Sequence, residues 1–151
     1  MRKPAWRALK LAKDTLPART VGLWTPVCDY IEGPTRLRFK ASGKWAYAEG
    51  RETGPEGDRN LGFPQDVLLP GAPLGALVGK IGGSSVDKPD PAKQTVFAVG
   101  TDCVISVDEK TKGTLFLTMN DEASQFDGHD GEIKVEVWES PNPGSATATK
   151  S

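Results

Sequence analysis

The chain has 151 residues, with 19 basic and 20 acidic side chains, a single histidine and a net charge of −1. That length suits one domain able to bury about two-thirds of the surface its unfolded chain exposes. The near-neutral balance gives no general pull toward nucleic acid or an anionic membrane, and no apolar run approaches the ~20 residues of a membrane span.

Arg2 and Lys3 open the chain, but Arg7, Lys10 and Lys13 interrupt any apolar core, so the first stretch does not read as a signal peptide. "WRALKL" alternates Trp6 and Ala8 against Arg7, Leu9 and Leu11, and "TVGLWTPV" follows as a second strand candidate. "TRLRFKAS" is the clearest: Leu37, Phe39 and Ala41 point one way and Arg36, Arg38 and Lys40 the other, the period of a half-buried strand. "GALVGKIG" carries glycines at 75, 79, 82 and 83, which disfavour a helix and predict a strand with close backbone approach. "SSVDKPDPAKQ" is a solvated loop before "TVFAV". "CVISV" and "GTLFLTMN" are more continuously apolar, as central strands covered on both faces would be. "EIKVEVW" restores the alternation, with Ile133, Val135 and Val137 inward, which leaves Trp138 outward with Lys134 and Glu136.

About eight short strands separated by Gly/Pro turns predict an all-β fold, an antiparallel β-sandwich or jelly roll over residues 1–140 with a disordered tail at 141–151. Leu37, Phe39, Leu77, Ile81, Leu115, Leu117, Val135 and Val137 are its expected core. Trp6, Trp24 and Trp45 are read as core aromatics. Cys28 and Cys103 permit one disulfide without requiring it, since each lies in an apolar run where a free thiol is commonly buried.

The chemistry concentrates in "NDEASQFDGHDGE", residues 120–132, with five acidic side chains, His129 and no basic residue. It reads as a solvated turn, with His129 exposed, or as a seat for a cation. Calcium takes six to eight oxygen ligands, and Asp121, Asp127 and Asp130 offer carboxylates beside the Asn120 amide. An EF-hand is excluded, because its sixth position, counted from Asp121, is Phe126 rather than glycine. An enzyme is not supported. Asp127 and Asp130 share one short loop instead of facing each other across a cleft. Neither cysteine has a reactive flank for pairing with His129, and "GDRNLGFPQD" lacks the glycines and lysine of a phosphate loop.

Taken in order, "SGKWAY", "GPEGDR", "GALVGKIG" and "GTLFLTMND…DGHDGEIKVEV" resemble the PA-IL-like galactose-binding lectins, bacterial calcium-dependent jelly-roll domains. The likeness runs from about residue 6 to residue 138. It implies a galactose-binding-domain-like sandwich, Ca²⁺ in the sugar site, a glycan or glycoconjugate partner, an extracellular or periplasmic location and no nucleic acid, and it leaves a homo-oligomer open. Mapped by position, it implies Asp121 and the carbonyls of Tyr47 and Gln125 as metal ligands. Asp127 and Asp130 flank the position of a further ligand, and Gln65, His129 and Asp127 would touch sugar. The pattern departs where two consecutive amide or acidic side chains should stand, at Gly128 and His129, and "NLGFPQ" keeps Gln65 but has no histidine. Two functions follow: a carbohydrate-binding module with calcium in its site, or a jelly-roll interaction domain that has lost metal and sugar binding.

Overall fold

Strict alternation of apolar and charged residues makes one strand the hub of the molecule. In the computed structural model, which describes residues 6–12, 14–61, 65–86 and 95–141, that strand is β4 (Thr35–Ala48). Before it come β1 (Arg7–Ala8), β2 (Thr15–Pro17) and β3 (Thr25–Glu32), and after it β5 (Arg51–Thr53) and β6 (Leu77–Ile81). The chain continues through β7 (Thr95–Ala98), β8 (Asp102–Val107), β9 (Lys112–Met119) and β10 (Asp130–Pro141). The described non-strand turns include two short 3-10 segments, Arg59–Leu61 and Ala123–Gly128.

The strands form two antiparallel sheets. In the first, β4 pairs along its length with β10, and also with β5 and β8, while β10 carries β1 and β2 on its far edge. The second runs β3-β9-β6-β7. Leu37, Phe39, Trp45, Val135 and Val137 from the first sheet meet Leu77, Ile81, Leu115 and Leu117 from the second in one core. All eight residues expected in the core are buried. At ~1.5–3 kcal/mol for each large apolar side chain, this layer is what holds the sheets together.

The "GALVGKIG" strand forms as expected. A Cβ at Gly79 would stand 2.7 Å from the Phe97 ring and 2.9 Å from Leu117 Cδ2, so glycine lets β6 lie close to its neighbours. The outer face of the second sheet is also covered: Val78 and Phe116 pack under Trp24, Leu68, Ala72 and Phe126 in a second apolar cluster. Lys80 is enclosed there, its Nζ 5.0 Å from the ring centres of Trp24 and Phe116, and it donates to the Ser84 carbonyl at 2.6 Å.

Three expectations are corrected. "TVGLWTPV" is not one strand, because β3 begins only at Thr25 and Trp24 turns over the second sheet instead. "CVISV" is not central: β8 pairs only with β4, so Val104 is left 51% exposed. Trp6 is half-buried on an outer face and does not join the core. Cys28 and Cys103 are both free thiols. The expected tail, apart from the backbone of Pro141, and most of the "SSVDKPDPAKQ" loop lie outside the described residues.

Candidate functional site

The acidic loop joins β9 to β10, and its first residue is a clamp. Asn120 is fully buried; its amide oxygen accepts from Leu69 N–H at 2.8 Å. Its Nδ2 faces the carbonyls of Leu69, Ala72 and Pro73 at 3.1–3.2 Å. Its backbone carbonyl accepts from Gly75 N–H, and that of Asp121 from Leu68 N–H. The loop is therefore tied to residues 68–75 by side chain and main chain together.

Asp121 and His129 lie at the two ends of the loop and are both buried, at 5% and 3% exposure. His129 Nε2 is 2.8 Å from Asp121 Oδ2, and Nδ1 is 3.1 Å from the Ala18 carbonyl. The expectation of an exposed histidine is corrected: the 3-10 turn buries Phe126, whose ring centre lies 4.5 Å from the imidazole, and the two rings close the site. Each ring nitrogen thus has a polar partner, and both Asp121 oxygens have one as well, which is how these groups tolerate burial here. Asp121 Oδ1 in turn accepts from Glu122 N–H at 2.7 Å.

Of the other residues implied by the resemblance, Asp130 and Tyr47 are neighbours across the strand pair, since Asp130 is the register partner of Ala46, while Asp127 is set apart from both. Asp127 lines a groove of about 370 Å³ with Thr20, Val21, Val86 and Phe126. Asp130 lines a separate cleft of about 360 Å³ with Ala46, Ala48, Glu49, Gly50, Glu52 and Gly128. Gln125 and Gln65 are exposed, and neither lines that cleft. Tyr47 is the extra residue of a β-bulge, where β4 slips register against β5 between Ala46 and Ala48. Its phenol donates to Asp58 Oδ2 at 2.7 Å. Burial first, and then the bond to Asp58 and that residue's charge, push the Tyr47 hydroxyl above the ordinary tyrosine range.

In this arrangement the oxygens that a calcium ion would use already have other partners or lie apart. Both Asp121 oxygens are engaged, the Asn120 amide is filled by backbone partners, and Asp127 and Asp130 belong to different clefts. Among the described residues, no three of His, Cys, Asp and Glu come together as a metal centre would need.

Two features were invisible to sequence reasoning. His129 meets Ala18 across 111 positions of chain, a contact that no local pattern reports. Glu49 and Glu52 flank a Gly turn and resemble any solvated pair; only the fold sets them beside Asp130. Phe126, the one large apolar residue amid the acids, was the available signal that this loop packs inward.

Among the described residues, ten strands in two facing antiparallel sheets, with a packed strand–loop–strand segment at one end, make an antiparallel β-sandwich. The fold is similar to a solved structure described as "EclA N-terminal domain; PllA-like lectin", with a TM-score of 0.61 and 19% identity, covering 88% of this chain and 98% of that one. At that identity the likeness is one of fold. A scan against protein-family models finds no match, and neither does a search of curated proteins.

Proposed function

We propose that the protein is a carbohydrate-binding module of lectin type, working by binding and not by catalysis, with its sugar site in the cleft beside Asp130. The observation that carries this reading is the cleft itself. Gly128 and Asp130, from the end of the acidic loop, line it with Glu49, Gly50 and Glu52, and its volume of about 360 Å³ lies in the range of small-ligand sites. Carboxylates there would accept hydrogen bonds from sugar hydroxyls, and galactose-type glycans are the first ligands to try because of the sequence resemblance. In this reading the Asp121–His129 pair holds the loop end in place, where the resembled family has calcium in the sugar site, and sugar binding needs no calcium. An extracellular or periplasmic setting suits a glycan partner; no helix among the described residues is long and apolar enough to cross a membrane.

The second reading, an interaction domain that has lost its sugar site, is favoured by the occupied state of Asp121. A glycan array read with and without chelator, followed by calorimetry on Asp130→Asn and Glu52→Gln, decides between them. Binding that survives chelator and is lost in both variants supports the first reading. An array with no hits supports the second.

A further inference from the structure

The outer face of the first sheet, turned away from the core, carries a second arrangement. Trp6, Arg38, Lys40 and Trp138 line a slot of about 80 Å³. Trp138 is the cross-strand partner of Arg38. The Arg36 guanidinium lies 5.8 Å from the centre of the Trp6 ring, and Lys40 Nζ 6.0 Å from that of Trp138. Both indoles are half-buried, so part of each remains open to solvent.

Charge is distributed unevenly along this face. Arg36 and Arg38 are paired across β8 with Ser106 and Val104, and across β10 with Ser140 and Trp138, all uncharged. Among the described residues, acids stand beside Lys40, whose register partners are Asp102 and Glu136, and further along β4 and β10 at Glu132, opposite Lys44, and Asp130, opposite Ala46. Asp102 reaches Arg38 at 3.4 Å, a long pair between partly exposed groups and therefore a weak one. The Nε–H groups of Arg36 and Arg38 are shielded and have no acceptor. Two guanidinium donors just beneath this face are thus left without a protein acceptor, while the Arg38 side chain itself remains partly exposed.

We propose that this face is a binding site for acidic saccharides, taking a uronic-acid residue with its carboxylate in the slot and its ring against an indole. The volume sets the division of labour: 80 Å³ holds about two or three waters at ~30 Å³ each, enough for a carboxylate but not for a pyranose ring. The ring must then lie outside, where its C–H face can cover exposed indole surface as apolar groups do. Arg38 supplies a planar fork for the carboxylate and Lys40 a point charge. Nucleic acid fits less well. A polyanion gains affinity from several phosphates at once, whereas Asp102 and Glu136 would repel a second phosphate beside Lys40, and the chain as a whole is at −1. The proposal shares its ligand class with the function proposed above but no residue with that cleft.

Tryptophan fluorescence reads this site directly, because Trp24 and Trp45, at 1% and 0% exposure, are shielded from ligand. Titration with oligogalacturonate should give a saturable change that a neutral galactan oligomer of equal length does not. Arg38→Gln and Trp138→Ala should each bind roughly tenfold more weakly. Arg38→Gln, a partly exposed change, should melt as wild type does, and Asp130→Asn should keep full oligogalacturonate binding. The proposal is overturned if oligogalacturonate does not bind, or if it binds both site variants as well as wild type. It is also overturned if oligo-dT binds more tightly than oligogalacturonate and is lost in the same variants, since the face would then be a nucleic-acid surface. Uronate binding with no neutral-sugar binding at the Asp130 cleft would remove the earlier reading and leave this one standing.

Discussion

His129 Nε2 and Asp121 Oδ2 are 2.8 Å apart inside the protein, so the most conspicuous acid of an acidic loop is turned inward and answered by the only histidine. The contact closes the loop on itself, because the two residues bracket the 3-10 turn.

Removing either partner should therefore have unequal effects. His129→Ala leaves a buried carboxyl group without its partner and should cost about 3–5 kcal/mol. Asp121→Asn should cost less than about 1.5 kcal/mol. The new amide can donate to a neutral Nε2 while its oxygen still accepts from Glu122 N–H. Urea unfolding of the two variants checks the order; equal losses would mean that the pair does not act as described.

The interior gives a plainer test. Phe39 is fully buried, and its ring centre is 5.6 Å from that of Phe97. Phe39→Ala should cost about 3–5 kcal/mol, measured by the same unfolding curves, because the site sits between two sheets that cannot collapse onto the cavity.

How much of this was legible in the sequence follows from the range of each interaction. Phe39 and Val135 were readable because a strand's two faces alternate with period two, so local spacing alone separates core from solvent. Val104 was misread because "CVISV" is almost continuously apolar, and only the packing of the sheets reveals that the face Val104 shares with Ser106 is uncovered. The position of the candidate loop was readable from its charge. Its direction was not, because Asn120 and His129 are fixed by carbonyls of residues 69–73 and 18. Side chains held by distant backbone leave no periodic trace.

Tyr47 should make stability fall at high pH. Its folded hydroxyl titrates above the ordinary value of 10.0, through burial first and then Asp58. The folded state thus holds this proton more tightly than the unfolded chain does. The corresponding stabilisation is complete below about pH 10 and declines as pH rises from there through the folded value. Tyr47→Phe should lose the bond to Asp58 at neutral pH and show a shallower alkaline decline. Unfolding free energies at several pH values above 9 should reveal the difference in slope.

Cys103 should label slowly in the native protein. Its thiol faces the Ala98 carbonyl at 3.6 Å, and burial, with Asp102 adding to it, pushes its titration above the usual thiol range. The thiolate is the reactive form, so little of it is present at neutral pH. Mass spectrometry after alkylation should show Cys103 reacting much more slowly natively than in urea. Fast native labelling would place it on an open surface rather than in β8.

If His129 stands in for an ion, calcium should leave the wild-type melting temperature unchanged, because both Asp121 oxygens already have partners. Converting the loop should reverse this. Gly128→Asn is sterically free, since a Cβ there meets nothing within 4 Å. His129→Asn removes the imidazole from Asp121 and supplies an amide oxygen in its place. The double variant then carries consecutive amides where the resembled lectin pattern has them, with Asp121 released and the bulged Tyr47 nearby in the same end of the sandwich. It should lose stability in chelator, because the buried imidazole and its ring contact with Phe126 are gone. With 1 mM Ca²⁺ and a dissociation constant near ~0.1 mM, it should regain about 1.4 kcal/mol by mass action. Melting curves of both proteins in calcium and in chelator give the comparison. A calcium-dependent shift in wild type would show that the imidazole yields its place to the ion, and sugar binding would then have to be re-examined as calcium-dependent.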